Sequence, residues 1–202
     1  MISIKSISVA RDANSVIKGF NAEFKAGTVT AIIGPNGCGK STLLLAMAGD
    51  LPIASGEILF NGTEVGKFTA LELAKLRSVV LQQPIFNLAF TVREVMEMAR
   101  LAGSTLASEN QALLDLDIND LSERKVTELS GGEKQRVAIA LALSIDAPVL
   151  LLDEPFAAQD VESTERVIKL LQKAAKNGKT IILVAHLPES ELGWCDQIIQ
   201  DF

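Results

Sequence analysis

The run "TVTAIIGPNGCGKSTLLLAMAG", residues 28–49, restricts the possible folds more than any other stretch of this chain. "TVTAII" has the length and continuous apolar character of a strand buried on both faces. It leads straight into Gly34, Pro35, Asn36, Gly37, Cys38, Gly39, Lys40, Ser41 and Thr42, which satisfy the spacing G-x-x-x-x-G-K-(S/T). "KSTLLLAMAG" then reads as a helix ending at Gly49. Strand, glycine-rich turn and helix in this order make an anion site. The glycines let backbone N–H groups converge on a phosphate, and the helix N-terminus adds partial positive charge. Lys40 is expected to reach the β- and γ-phosphates of a nucleotide, with the Ser41 hydroxyl on Mg²⁺. Cys38 reads as a small residue that fits its slot, with a redox role as the second reading.

The remaining pattern is α/β. "ISIKSISV" and "FNAEF" alternate as half-buried strands do, and "SGEILFNG" reads as a strand closing on an Asn-Gly turn. "TALELAKLR" reads as a short helix and "SVVLQQP" as a strand stopped by Pro84. Between Pro84 and Asp146 the apolar period is helical, and Thr91 with Glu94, and Ser130 with Glu133, match capping boxes. Strand "VLLLD", helix "VESTERVIKLLQKAAK" and strand "TIILVA" follow. The order implies a mostly parallel sheet with right-handed crossovers. The expectation is one domain over 1–202. Residues 1–83 and 147–202 form an α/β nucleotide-binding core with a β subdomain, and 84–146 form an inserted helical subdomain.

A net charge of −6 argues against a nucleic-acid partner, whose footprint is normally basic. No apolar run approaches the ~18 residues of a membrane span. "MISIKSISVA" has no signal-peptide pattern, and Cys38 and Cys195 form neither a disulfide framework nor a metal-ligand spacing. A cytoplasmic protein that meets a membrane through a partner is expected.

"LSGGEKQR", residues 129–136, is a second glycine-rich turn at a helix start. One nucleotide needs one cradle, so Ser130, Gly131 and Gly132 are better placed to meet a γ-phosphate held by another copy of the chain. That geometry suggests a head-to-tail dimer with two nucleotides at its interface. "VLLLDEP" delivers Asp153 at the end of an apolar strand, where it can hold the Mg²⁺ shell, and Glu154 beside it can orient or deprotonate water.

Together these motifs resemble the ATP-binding cassette (ABC) ATPase family along almost the whole chain. The resemblance implies a P-loop NTPase (RecA-like) core with an N-terminal antiparallel β subdomain and an inserted α-helical subdomain. It implies a Walker A loop at Gly34–Thr42, a signature at Leu129–Glu133 acting in trans through Ser130, Gly131, Gly132 and Glu133, and a Walker B strand ending at Asp153 and Glu154. Gln82 matches the glutamine that senses Mg²⁺ and water, with Gln83 beside it as the alternative. His186 matches the switch histidine, and Asp160 the D-loop aspartate that contacts the partner. Lys40, Gln82, Glu154 and His186 are then catalytic, and Ser41, Gln82 and Asp153 hold the metal.

The family usually stacks adenine on an aromatic residue, and here the matching position is Arg11, whose planar guanidinium can also stack on a base. The D-loop reads "AAQD" without its usual serine, and the helical region looks short between Met98 and Ser108. The implied function is an ATP-hydrolysing subunit, with ATP and Mg²⁺ as cofactors. It would dimerise around two MgATP and power a separate integral-membrane permease at the inner face of the cell membrane. "RSVVLQQ" with "LAFTVREVM" resembles ATPases of importers for iron-siderophore complexes, haem, cobalamin or metal ions, which also use a substrate-binding protein. An ABC ATPase outside transport, in DNA repair or translation, and a P-loop small-molecule kinase are the alternatives. The kinase would need no signature loop.

Overall fold

A computed structural model describes residues 1–11 and 14–200, with positions 11, 14 and 15 described by backbone only. The chain begins with strands β1 (Ile2–Arg11) and β2 (Asn14–Phe24), paired antiparallel. β3 (Val29–Ile32) runs into the glycine-rich loop, and α1 (Lys40–Ala48) follows. β4 (Ser55–Phe60) and β5 (Thr63–Glu64) form a hairpin, with β4 also paired to β1. Then come α2 (Ala70–Leu76) and β6 (Arg77–Val80). Residues 84–146 hold α3 (Val92–Met98), α4 (Leu106–Asp115) and α5 (Gly131–Ser144). β7 (Val149–Asp153), α6 (Val161–Lys176), β8 (Thr180–Val184) and β9 (Gln197–Ile199) complete the order.

Two sheets result. One is antiparallel, ordered β2-β1-β4-β5; the other is parallel, ordered β6-β7-β8-β3-β9. The three central parallel strands, β7, β8 and β3, are buried on both sides because their alternate residues supply two cores. Leu150, Leu152, Ile181 and Leu183 pack with α5 and α6, whereas Val149, Leu151, Ile182 and Val184 pack with α1 and the antiparallel sheet. "FNAEF" is the second half of the longer β2, not a separate strand. "SVVLQQP" pairs only as far as Val80, which leaves Leu81 to Pro84 outside any strand. β9 escapes the sequence pattern, since three residues carry too short an alternation to read.

The helices start where local chemistry satisfies their free N–H groups. Thr91/Glu94 and Ser130/Glu133 both form complete capping boxes, and Thr69/Glu72 and Thr105/Ser108 add two more. Among the described residues no helix is long and apolar enough to cross a membrane.

Candidate functional site

Four adjacent parallel strands each end at a candidate residue. β3 stops at Ile32, just before the Gly34 turn; β7 ends on Asp153; β8 stops at Val184, two residues before His186; β6 stops at Val80, two before Gln82. The register that pairs Val80 with Leu152, Asp153 with Val184 and Ile32 with Val184 brings these ends to one edge. Ligands of open α/β sheets bind outside such carboxyl ends. A cleft of about 670 Å³ lies there, lined by Val16, Asn36, Gly37, Gly39 to Thr42, Gln82, Glu154 and His186.

The glycine-rich loop closes tightly. Gly39 precedes α1 at φ +107°, and a Cβ there would lie 2.8 Å from Val16 Cγ1 and 3.0 Å from Ile17 Cγ1, so a side chain is doubly excluded. Cys38 N–H donates to the Pro35 carbonyl at 3.4 Å. The Lys40 ammonium, 5% exposed, donates to the carbonyls of Gly34 (2.8 Å) and Pro35 (2.9 Å). Its charge is thus held inside the cradle, beside where phosphate would sit.

The Ser41 hydroxyl donates to Asp153 Oδ1 at 3.1 Å. Asp153 is buried, and burial pushes its carboxyl above the usual aspartate range; the Ser41 bond opposes this, while neighbouring Glu154 adds to it. A buried carboxylate beside a hydroxyl is a hard oxygen donor pair that suits Mg²⁺. Glu154 adopts φ +47°, a left-handed backbone that costs a non-glycine residue energy, and its N–H donates to the Val184 carbonyl at 3.0 Å. Both of its carboxylate oxygens are engaged. Oε2 accepts from Gln82 Nε2 at 2.7 Å, and Oε1 lies 2.7 Å from His186 Nε2. Gln82, not Gln83, makes this contact and lines the cleft.

The second glycine-rich turn lies elsewhere. Ser130, Gly131, Gly132 and Glu133 do not line the cleft. Ser130 and Gly131 are exposed at the start of α5, where the Ser130 N–H donates to Glu133 Oε2 at 2.7 Å. Those capping bonds, with help from Arg124 and Arg136, hold the Glu133 carboxyl below its usual range. Gly132 faces its own chain, since a Cβ on it would lie 2.6 Å from the Ala158 carbonyl oxygen. Asp160 caps α6 by accepting from the Ser163 N–H at 2.7 Å. The side chain of Arg11 lies outside the described residues.

Sequence reasoning overlooked three participants. Val16 forms a wall of the cleft without any motif to flag it. Gln135 Nε2 donates to the Leu81 carbonyl at 3.4 Å and so ties α5 to the residue before Gln82. Its signal was a polar side chain in helical phase with buried Ile139 and Ala142. Arg136 reaches Ser163 across the helix boundary.

A family model described as "ABC transporter" matches residues 17–157. The hemin import ATP-binding protein HmuV of Streptomyces coelicolor is 40% identical over 178 residues, which cover 85% of this chain and 64% of that protein. The petrobactin import ATP-binding protein YclP of Bacillus subtilis is 33% identical, covering 92% of this chain and 77% of its own length. Among solved structures, the dimeric structure of a bacterial ABC transporter cassette is 26% identical with TM-score 0.88, covering 99% of this chain and 94% of that one. The fold is also that of an ATP-binding subunit of an ABC transporter, which superimposes with TM-score 0.91 at 22% identity, over 99% of this chain and 85% of that one.

Proposed function

The chain belongs to the ABC transporter family, and from that premise we propose that it hydrolyses MgATP between two copies of itself to drive import through a separate membrane permease. The observation that carries this reading is the division of the site. One chain gathers the phosphate loop, Asp153, Glu154, Gln82 and His186 at one sheet edge, while Ser130 and Gly131 stand exposed elsewhere. A second copy supplies what the first lacks. The dimeric cassette among the similar structures supports this arrangement.

In this mechanism Lys40 transfers its hydrogen bonds from the Gly34 and Pro35 carbonyls to the β- and γ-phosphates. Asn36, Gly37, Cys38, Gly39 and Thr42 complete the cradle. Ser41 and Asp153, with Gln82, would hold Mg²⁺, which would supply positive charge against the phosphates when bound. Glu154 orients and deprotonates water only after Gln82 or His186 releases one of its oxygens. His186 then contacts the γ-phosphate, and Ser130, Gly131 and Gly132 of the opposite copy donate to it. Arg11 stacks on adenine, and Asp160 faces the partner.

The relatives' names, hemin import and petrobactin import, support haem or an iron complex as cargo; delivery by a separate substrate-binding protein belongs to the same proposal. The permease docks beside Gln82. A groove of about 370 Å³ runs along β6 and α5; exposed Ile85 (74%) lines it, and exposed Leu88 (61%) and Leu101 (82%) lie close in sequence to its lining residues Phe86 and Ala102. Seated there, the protein works at the cytoplasmic face of the membrane.

Light scattering after size exclusion tests the division directly. Glu154→Gln with MgATP is expected to run as a dimer, and Ser130→Arg in that background as a monomer that still binds ATP. A monomer in both, with ATP bound and the permease present, would overturn the reading.

A further inference from the structure

The proposed partner-facing turn and the catalytic turn of the same chain meet at one joint. Residues 154–158 form a self-bonded turn between two left-handed non-glycine residues, Glu154 (φ +47°) and Ala158 (φ +59°). Ala157 N–H donates to the Glu154 carbonyl at 3.1 Å, and Gln159 Nε2 to the Pro155 carbonyl at 2.8 Å. This turn rests on Gly132 through the Ala158 carbonyl, at a spacing that admits no Cβ. A directed relay spans the same joint: Arg136 Nη1 donates to Ser163 Oγ at 3.1 Å, and Ser163 Oγ donates to Asp160 Oδ2 at 3.1 Å. The joint is incomplete, however. Arg136 Nε and Gln159 Oε1 are both buried without a hydrogen-bond partner, a donor and an acceptor of the kind folded proteins rarely leave unpaired.

We propose that Arg136 and Ser163 are positioning residues that set the Ser130–Gly132 turn by reference to the Glu154 turn. Occupancy of a chain's own site then governs its grip on the nucleotide of the opposite site. This proposal rests on the two-copy reading above. When Glu154 gives up Gln82 or His186 to accept water, the movement enters a turn too short and too internally bonded to absorb it. Gly132 transmits it by contact, and the relay keeps α5 in step. The unpaired Arg136 Nε and Gln159 Oε1 are left free to take new partners when the joint moves. Loss of the D-loop serine does not break this route, because Ser163 provides the hydroxyl that joins Asp160 to α5.

The test is Ser163→Ala in the full chain, with Ser163→Thr as rescue, read by steady-state ATPase titration and by fluorescent-nucleotide binding at protein concentrations where the chain is monomeric. Ser163→Ala is expected to lower the Hill coefficient to one and raise KM for ATP roughly tenfold, as loss of a charge-assisted hydrogen bond implies. Monomer nucleotide affinity should stay near wild type, Tm should fall by only about 2–4 °C, and Ser163→Thr should restore cooperativity. Wild-type KM and Hill coefficient in Ser163→Ala would overturn the proposal while leaving the dimer standing. A wild-type protein that is non-cooperative, with Glu154→Gln monomeric in MgATP beside its permease, would overturn both.

Discussion

The phosphate loop and the signature turn are both glycine-rich starts of helices, yet the structure treats them oppositely. Around the first, every charged group is already bonded inside the chain: Lys40 to two carbonyls, Ser41 to Asp153, Gln82 and His186 to Glu154. Around the second, Ser130 and Gly131 face outward, while Gly132 packs against the Ala158 carbonyl and Arg136 bonds Ser163 at the start of α6. The first turn is held by the ends of four strands and can be preorganised by one chain. The second is held by a capping box and one close backbone contact, which fix its direction and leave its ligand face open. Placing these groups at the site in advance favours charge stabilisation, because only short exchanges of existing bonds, from the Gly34 and Pro35 carbonyls and from Glu154, separate them from a bound nucleotide and water. On the proposed two-copy reading, an open face favours exchange, because what it would bind comes and goes with a partner.

Glu154→Gln should separate the two regions most strongly. ATP binding is expected to survive, while turnover falls by about 10²–10⁴-fold, the range typical of a lost general base; a phosphate-release assay beside nucleotide binding reads both. Retained turnover would remove Glu154 from the chemistry and leave the preorganised cluster without its base.

Gly132→Ala probes the other region. Its methyl group would meet the Ala158 oxygen at 2.6 Å, so the turn or the D-loop must move. Overpacking of this kind costs about 1–3 kcal/mol, and the ATP concentration for half-maximal dimerisation should rise roughly tenfold with monomer binding unchanged. Light scattering over an ATP series would show it, and an unshifted curve would mean that the backbone contact is not what aims the turn.

Glu109→Gln is the control outside both regions. Glu109 is 2% exposed, and although burial raises its carboxyl, bonds from Arg100 (2.8 and 3.0 Å) and Ser104 (2.7 Å) outweigh that and hold it below its usual range. A folded-state pKa below the unfolded value stabilises the fold above the unfolded carboxyl range of about 4.3, and the gain disappears as pH falls through the lowered value. The variant should lose about 2–3 kcal/mol at neutral pH by denaturant melts. Its deficit should narrow below about pH 4. A deficit independent of pH would show that packing, not charge, is what Glu109 provides.

Much of this was legible because the determining interactions are local. The sequence places α6 at "VESTERVIKLLQKAAK" and β7 at "VLLLD", and the structure has the same bounds. The Ser130/Glu133 box was readable because both partners lie within one turn. Where the partner is remote, reading stopped early. β6 ends at Val80 and not at Gln83, since its pairing with β7 stops at Leu152, and Gln82 beyond it bonds Glu154. β9 exists because β3 has an open edge beside it.

The sequence alone thus singled out the groups proposed to bind phosphate, metal and water, and determined the periods of the segments that carry them, because residue type and spacing act over a few residues. Only the tertiary structure decided that four strand ends share one edge, that Gln82 rather than Gln83 bonds Glu154, and that Gly132 packs too close to the Ala158 carbonyl of its own chain to carry a side chain. Those outcomes depend on sheet order and on contacts between residues more than twenty positions apart, which no local pattern encodes.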